Sequence, residues 1–293
     1  TQASAAASRA SILLNKSQIA VEAITAVVDE DLCKLCGQCA AVCPFGAITW
    51  QKKQAARVIS AACAGCGTCA AECKFTAIEM RHFSDQAIYA QIDAILQDEP
   101  LEKIVTFACN WCSYAGADTA GVARMAYPPN ARIIRTMCSG RVNPEFVWYA
   151  FKKGAPVVLV SGCHYVDCHY LDANRSTVRR MDGLWDGLEK AGLRPERLQL
   201  EWCSAAEGAR WQTTMVEVEK TRQGVTQEEI EQSREVLAKS RVPSPHNPRP
   251  RDIGQPAEFR CMRCGHQWGD LFQVVERTCP HCRSNGIRWL RSR

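Results

Sequence analysis

Cysteine is the residue type through which this sequence could do chemistry, because 18 of its 293 residues are cysteines. Most of them lie in short runs with two residues between neighbouring thiols, the spacing with which a chain wraps a metal ion or an iron–sulfur cluster. Disulfide scaffolds are instead short secreted chains. The pattern therefore indicates metal ligation in a reducing compartment. No acid–base or nucleophile constellation accompanies it, and we predict no catalytic residue.

The first two runs repeat one pattern. CKLCGQCAAVCPFGAI has the C-x2-C-x2-C-x3-C-P spacing of bacterial ferredoxins, which hold 4Fe-4S clusters, and CAGCGTCAAECKFTAI repeats its cysteines in register. In two-cluster proteins of this type the fourth cysteine of each run ligates the other cluster. The predicted ligands of cluster one are Cys33, Cys36, Cys39 and Cys73. Those of cluster two are Cys63, Cys66, Cys69 and Cys43. Zinc sites or plain buried thiols are the alternative.

Beyond residue 85, helical segments alternate with four short apolar runs, the signature of a parallel α/β sheet. The predicted strands are 102–109, 131–138, 156–163 and 198–203, with helices around Thr119, Glu145, Arg179 and Met215. Each strand ends in a cysteine, and ligands bind outside the carboxyl ends of parallel strands. We therefore expect a metal site there, formed by Cys109, Cys112, Cys138, Cys163 and Cys168.

Other interpretations of these cysteines stay open. Each one could be an ordinary core residue, since cysteine is often buried. Cys109 and Cys112 in CNWC could form a redox dithiol at a strand-to-helix turn. His164 and His169 each follow a cysteine and could give mixed histidine–cysteine ligation, but adjacent residues on an extended chain point apart. Hydrogen bonding close to the site is the expected role of both histidines.

The last part of the chain combines a polar helix, QGVTQEEIEQSREVLAKS, with a proline-rich linker, RVPSPHNPRPRDIGQP. Two CxxC knuckles follow, with the spacing of a structural zinc ribbon. The predicted ligands are Cys261, Cys264, Cys279 and Cys282. Zinc is favoured over rubredoxin-type iron, and His266 and His281 are expected to be bystanders. Nearby arginines leave nucleic-acid binding as an alternative: Arg260, Arg263, Arg283, Arg288, Arg291 and Arg293.

The formal net charge of +5 is weak support for nucleic-acid binding. A four-thiolate metal site carries roughly −2, because metal-bound thiols are deprotonated, and four such sites would bring the loaded chain to about −3. No stretch has the roughly 20 apolar residues of a membrane span, and the start lacks the apolar run of a signal peptide. We expect a cytoplasmic protein that is membrane-associated only through partner subunits.

Two parts of the chain resemble known redox proteins. FACNWCSYAGADTAGVARMAYPPNARIIRTMCSGRVNPEF, with SGCHYVDCHYLDANR and GLRPERLQLEW, resembles the delta subunit of methyl-viologen-reducing hydrogenase over roughly 103–219. That resemblance implies one 2Fe-2S cluster held by four of the five cysteines Cys109, Cys112, Cys138, Cys163 and Cys168. The resemblance does not identify which of the five cysteines is not a ligand, and it favours a structural role for Cys203.

The segment ASAAASRASILLNKSQIAVEAITAVVDEDLC, running into the cysteine repeat, is similar to the C-terminal part of the A subunit of heterodisulfide reductase. The pairing of the two parts also resembles the B subunit of the quinone-interacting membrane-bound oxidoreductase. A flavin domain lies upstream in the reductase family, but no GxGxxG fingerprint opens a βαβ unit here. FAD is therefore expected only on a missing upstream region or on a partner subunit. The start of the sequence at Thr1 fits the expectation of a missing upstream region.

The predicted architecture has five parts. Residues 1–30 are the tail of a missing flavin domain, 31–84 an α+β ferredoxin-like two-cluster module, and 85–222 an α/β domain with an open parallel four-stranded sheet. Residues 223–257 form a helix and linker, and 258–293 a small zinc ribbon. The expected cofactors are two 4Fe-4S clusters, one 2Fe-2S cluster and zinc.

The predicted function is non-catalytic electron transfer within an oxidoreductase complex, between a partner dehydrogenase or hydrogenase and a flavin or quinone-linked partner. The expected partners are a flavoprotein of the heterodisulfide reductase A-subunit type, a hydrogenase or dehydrogenase subunit, and a quinone-linked membrane subunit; nucleic acid is not expected. One alternative is a dithiol reductase using Cys109 and Cys112. Another is a cluster-based redox sensor whose zinc ribbon binds DNA.

Overall fold

The computed structural model describes residues 2–15, 17, 23–247 and 252–290. Part of the predicted N-terminal tail, part of the predicted linker, and Arg291 and Arg293 lie outside the described residues. The first element is helix α1 (Gln2–Leu14). No helix in the described ranges is both long and apolar enough to cross a membrane.

The ferredoxin-type region is built from short elements that repeat. They are β1 (Ala26–Val28), α2 (Gln38–Ala41), β2 (Ile48–Thr49), β3 (Arg57–Val58), α3 (Thr68–Glu72) and β4 (Ile78–Met80). Strand β1 pairs antiparallel with β4, and β2 with β3. Helices α2 and α3 each follow a glycine, Gly37 and Gly67, with φ of 74° and 78°. Glycine adopts this left-handed conformation without strain, so each chain can turn sharply beside its thiols.

The central region is an α/β domain, as predicted. Its elements are α4 (Asp85–Leu96), β5 (Ile104–Cys109), α5 (Ser113–Val122), β6 (Ala131–Thr136), α6 (Pro144–Lys153), β7 (Val157–Gly162), α7 (Ala173–Lys190), β8 (Leu198–Trp202), α8 (Gly208–Gln223) and α9 (Gln227–Lys239). The four strands form one parallel sheet in the order β6-β5-β7-β8. The prediction of a parallel four-stranded sheet is confirmed.

Helices cover both faces of this sheet, which is why its two inner strands, β5 and β7, are mostly apolar. Successive residues of a strand point to opposite faces. Val105 and Phe107 therefore belong to the core that contains α4, α6 and α7 residues, whereas Ile104 and Ala108 belong to the core that contains α5 and α8 residues. The two cores bury β5 and β7 completely, so the sheet is a rigid base for the loops at its carboxyl edge.

The helix ends follow local sequence signals. The Asn143 side chain accepts a hydrogen bond from the Glu145 amide at 3.0 Å, Pro144 is the first residue of α6, and Gly154 ends that helix at a φ of 104°. Helix α9 begins with a capping box between Thr226 and Glu229, in which each side chain accepts from the other's backbone amide. Caps of this kind are typically worth about 1 kcal/mol each.

The C-terminal tail is a small antiparallel sheet of β9 (Pro256–Cys261), β10 (Gln267–Leu271) and β11 (Ile287–Leu290), with β9 in the middle. It lies against edge strand β8 of the parallel sheet, where the Gln199 Nε2 atom donates to the carbonyl of Met262 at 3.2 Å. The Met262 side chain is fully buried in the core of the central domain. The tail is therefore packed on the α/β domain.

Candidate metal centres

The first two cysteine runs surround two small cavities in the ferredoxin-type region. Cys33, Cys36, Cys39 and Cys73 line one cavity together with apolar residues such as Val28 and Ile78. Cys43, Cys63, Cys66 and Cys69 line the other. Each cavity thus receives three thiols from one run and the fourth thiol from the other run. Four sulfur atoms around an apolar cavity fit a cubane cluster.

Burial raises the pKa of three of these thiols. It raises the pKa of Cys39 and Cys66, and it raises the pKa of Cys69 well above its usual range, because charged thiolate is poorly solvated in the interior. A thiolate in such a place needs a bound cation as its counter-charge, and metal binding supplies one as it displaces the proton.

The central cysteines meet at the carboxyl edge of the parallel sheet. The chain goes from β5 outward to β6 and then crosses back to β7, so the carboxyl ends of β5 and β7 form the topological switch point, where α/β folds bind their ligands. Cys109 is the last residue of β5 and Cys163 follows β7. Their sulfur atoms lie 3.4 Å apart. With the Sγ atom of Cys112, all three lie within 4.8 Å of one another.

The other two cysteines of the predicted central site extend this sulfur group. Hydrogen bonds with the Cys138 and Cys163 thiols lower the pKa of Cys168 to about 2. In the same way, hydrogen bonds with Cys112 and Cys163 lower the pKa of Cys109 to about 3, while the pKa of Cys163 rises. Thiols so close together share protons among themselves, and a metal centre would replace those protons. The structure brings all five thiols into one connected group.

This geometry bears on the alternative interpretations. A simple dithiol of Cys109 and Cys112 does not require a third thiol, yet Cys163 touches Cys109. The His164 ring has Nδ1 at 2.6 Å from a Glu276 oxygen and Nε2 at 2.8 Å from a Glu207 oxygen, so both nitrogens are engaged. The His169 ring stacks on Trp111 with centroids 3.9 Å apart. Mixed histidine–cysteine ligation is not supported.

Cys203 has different surroundings from the five clustered thiols. Its sulfur lies 3.5 Å from each of the backbone oxygens of Ser204 and Glu207, and it packs so closely on Gly116 that a Cβ atom there would lie 2.9 Å from it. Burial raises the pKa of this thiol to about 12. Packing against α5 accounts for the burial of the Cys203 side chain.

The second cavity and the central sulfur group are in contact. Cys66 belongs to one buried cluster with Cys109, Cys138, Cys163 and Cys168, and this cluster also contains Met137, Tyr170 and Ala173. The approach is close because Gly140 has no side chain: a Cβ atom there would collide with the Thr68 hydroxyl. The two cysteine-rich regions therefore share an apolar interior.

Two buried arginines, neither of them expected from the sequence, hold these regions together. Arg180 donates to a Glu72 carboxylate oxygen at 2.9 Å and to the carbonyls of Gly140 and Val142 at 2.8 and 3.0 Å. Arg141 pairs with Asp85 and donates to the Phe83 carbonyl. No local pattern identifies such a residue, because an arginine in a helix is usually solvent-exposed.

The tail gathers its four cysteines at one end of its sheet. The sulfur atoms of Cys261, Cys264, Cys279 and Cys282 all lie within 4.8 Å of one another. Cys261 and Cys282 are 3.5 Å apart, and Cys264 and Cys279 are 3.7 Å apart. Tetrahedral ligation with bonds of about 2.3 Å separates sulfurs by about 3.8 Å, so the arrangement fits a closed zinc-type site.

Three of the tail arginines point toward the central domain. Arg260 pairs with Glu196 at 2.6 Å, Arg263 with Glu201 at 2.7 Å, and Arg288 with Glu189 at 2.6 Å. Guanidinium groups paired in this way are not displayed for phosphate binding, so the arrangement does not favour a DNA-binding tail.

Two family models match the sequence. The model described as methyl-viologen-reducing hydrogenase, delta subunit, matches residues 104–224, which contain the parallel sheet and all five central thiols. The model described as 4Fe-4S binding domain matches residues 26–49, which contain the first cysteine run.

Curated relatives cover the same regions. The A subunit of a ferredoxin:CoB-CoM heterodisulfide reductase from Methanosarcina mazei is 47% identical over 220 residues, which are 75% of this chain and 28% of the relative. The vhc iron-sulfur D subunit of an F420-non-reducing hydrogenase from Methanococcus voltae is 53% identical over 116 residues, covering 40% of this chain and 81% of the relative. A related D subunit from Archaeoglobus profundus is 44% identical over 43% of this chain and is covered to 92% of its length. This chain thus spans little more than a quarter of the reductase relative and most of each hydrogenase D subunit.

Proposed function

The chain belongs to the methyl-viologen-reducing hydrogenase delta-subunit family, joined as predicted to a heterodisulfide-reductase-A-like region with a 4Fe-4S domain, and from this we propose its detailed role. An iron–sulfur electron-transfer role in complexes of this kind is what its relatives support. In detail, it relays electrons through two 4Fe-4S clusters and one 2Fe-2S cluster between a partner dehydrogenase or hydrogenase and a flavin or quinone-linked partner.

The observation that carries this proposal is the shared interior of the second cavity and the central sulfur group. Cys66 and Cys138 belong to the same buried cluster of side chains. Hydrogen bonding with Cys168 and burial raise the pKa of Cys138 well above its usual range, and its closeness to Cys66 contributes in the same direction. Two separate binding modules would not need this contact, whereas a relay needs adjacent redox sites.

The residues of the chain have three roles in this proposal. The eight thiols of the ferredoxin-type cavities hold the 4Fe-4S clusters in crossed sets, and four of the five central thiols hold the 2Fe-2S cluster. These clusters would supply one-electron carriers when bound. Apolar neighbours such as Ile78 and Met137 exclude water from the thiolates. Arg180 and Arg141 keep the two regions in fixed contact.

The tail and the flavin are separate parts of the proposal. We infer a structural zinc ion at Cys261, Cys264, Cys279 and Cys282, because four sulfurs at tetrahedral spacing form a closed site without an open ligand position. FAD would belong to an upstream region or to a partner flavoprotein of the heterodisulfide reductase A-subunit type. The predicted domain boundaries at residues 30, 84, 222 and 257 are part of the same proposal.

The measurement that tests the proposal is the count of iron, acid-labile sulfide and zinc per chain in anaerobically purified protein. We expect about ten iron, ten sulfide and one zinc. Electron paramagnetic resonance of the partly and fully reduced protein should show both cluster types, with broadening from magnetic interaction between neighbouring clusters.

Other counts would contradict particular parts of the proposal. About eight iron and eight sulfide would leave the central thiols without a cluster and would favour the dithiol function of Cys109 and Cys112. One additional iron in place of zinc would make the tail a rubredoxin-type site.

A further inference from the structure

The loop 163–168 carries two of the five central thiols and has no regular structure except the helical turn Tyr165–Asp167. Asn174 of the central domain holds its first end. The buried Asn174 side chain donates from Nδ2 to the carbonyls of Cys163 and His164, both at 3.0 Å. The middle of the loop, at the backbone of Tyr165, is held from the tail.

The tail residue that holds this loop is Glu276. The Tyr165 amide donates to its Oε2 atom at 2.7 Å, and the His164 Nδ1 atom lies 2.6 Å from its Oε1 atom. Hydrogen bonds to an ionised carboxylate are about twice as strong as neutral ones. Glu276 is therefore well placed to set the path of the chain between Cys163 and Cys168.

Glu276 is itself joined to the second knuckle of the tail. It precedes Cys279 by three residues, and Asn285, three residues after Cys282, donates from Nδ2 to the Glu276 carboxylate at 3.4 Å and to the Arg277 carbonyl at 3.0 Å. The Asn285 backbone amide in turn donates to the buried Glu201 carboxylate of β8 at 3.3 Å. The fold of the knuckle thus fixes the position of the Glu276 carboxylate.

We propose that Glu276 is a positioning residue, through which the folded tail knuckle holds loop 163–168 in the geometry that ligates the central cluster. This inference rests on the proposed function for its cluster, but the contact itself is made by residues of this chain. Metal loading of the tail and the structure of the central site are then coupled. Loss of the tail metal would release the middle of the loop, while its first end remains attached through Asn174.

The test uses the full chain, purified anaerobically, with Glu276→Ala, Glu276→Gln and a matched control. The control is Glu258→Ala, which removes an exposed carboxylate from β9 of the same tail. Three quantities are measured: hydrogen exchange of the amides in 163–168, the resonance spectrum of the reduced central cluster, and iron and zinc per chain.

We expect the Tyr165 amide to exchange about tenfold faster in Glu276→Ala, because one charge-assisted hydrogen bond is lost. The 2Fe-2S spectrum should change, with 4Fe-4S and zinc contents unchanged. Glu276→Gln should have a smaller effect, because its amide oxygen can still accept from Tyr165. The control should match the wild type.

Two results would overturn the inference. The first is that Glu276→Ala and Glu258→Ala have the same hydrogen exchange in 163–168 and the same spectrum of the central cluster. The other is loss of zinc from Glu276→Ala, since Glu276 would then support the tail and not the loop. If the wild type holds only about eight iron, the three-cluster proposal fails by itself. The exchange measurement would still decide whether Glu276 positions the loop.

Discussion

Cys109 and Cys203 stand at the carboxyl ends of two strands in one parallel sheet, yet their sulfur atoms have different neighbours. The Cys109 sulfur is 3.4 Å from another thiol, and hydrogen bonds from thiols lower its pKa to about 3. The Cys203 sulfur faces two backbone carbonyls, and burial raises its pKa to about 12. A thiol beside other thiols is suited to metal ligation, whereas an isolated buried thiol behaves as a small apolar residue.

Serine substitution of these two cysteines should separate the two roles. With Cys109 as one of the four ligands of the proposed 2Fe-2S cluster, we expect Cys109→Ser to lose about two of the ten iron expected in the wild type; unchanged iron would make Cys109 the spare thiol. Cys203→Ser should keep all of its iron, since its hydroxyl can donate to the same carbonyl oxygens. Iron analysis and the visible absorption spectrum provide the measurement. Loss of two iron from Cys203→Ser would instead make Cys203 a ligand.

Helix α7 is the element that joins the two cysteine-rich regions. Its buried Arg180 bonds to Glu72, which directly precedes Cys73, and to two carbonyls that follow Cys138 in the chain. Arg180 and Glu72 are almost completely shielded from water, with side chains 2% and 8% exposed. A buried pair is costly to break from one side, because the remaining charge stays buried without its partner.

We expect Arg180→Met to lower the free energy of unfolding by about 3 kcal/mol, the lower end for a buried pair, because the Glu72 carboxylate loses its closest cation and keeps only Arg179, at 3.7 Å. The control on the same helix is Lys190→Met, which removes an exposed pair with Asp186 and should cost about 0.3–0.5 kcal/mol. Anaerobic denaturation of the loaded full chain, followed by tryptophan fluorescence, measures both. Equal effects of the two variants would show that Arg180 does not hold the interface.

In the molecule as a whole, a buried carboxylate is one of the groups that dock the tail on the parallel sheet. Glu201 of β8 accepts from Arg210 at 2.6 Å, from Arg263 at 2.7 Å and from the Ser284 hydroxyl at 3.0 Å. Arg263 lies in the first knuckle and Ser284 just after the second. Both knuckles are therefore attached to the same strand end, beside the central sulfur group.

Removal of this charge should loosen the tail without changing the clusters of the ferredoxin-type region. We expect Glu201→Gln to accelerate trypsin cleavage after the exposed Arg241 about tenfold, since charge-assisted hydrogen bonds to two arginines are weakened. Glu217→Gln, which removes a partly exposed pair with Lys220 on α8, is the control. Limited proteolysis of the loaded protein compares their rates. Equal rates would mean that Glu201 does not hold the tail.

Much of the candidate site could be predicted because metal ligands in short runs are a local property. Three thiols within seven residues can wrap most of a cluster by their own spacing, and the second run in register offers the fourth ligand, so the repeat along the chain is enough to identify them. The parallel sheet follows from alternating apolar runs and helices, and its strand pairing confirms it. The two-cluster module, the zinc ribbon, the ligand assignments and the domain boundaries stay predictions for metal analysis to test.

The amino-acid sequence alone determines which run each thiol belongs to and which segments form strands, because both depend on neighbours along the chain. Three other features required the folded chain: the strand order that brings Cys109 to Cys163, the burial of Arg180 beside Glu72, and the contact of Glu276 with Tyr165. These pairs join residues that are far apart in sequence. Their geometry depends on how the sheet, its helices and the tail pack together, and no local pattern carries that information.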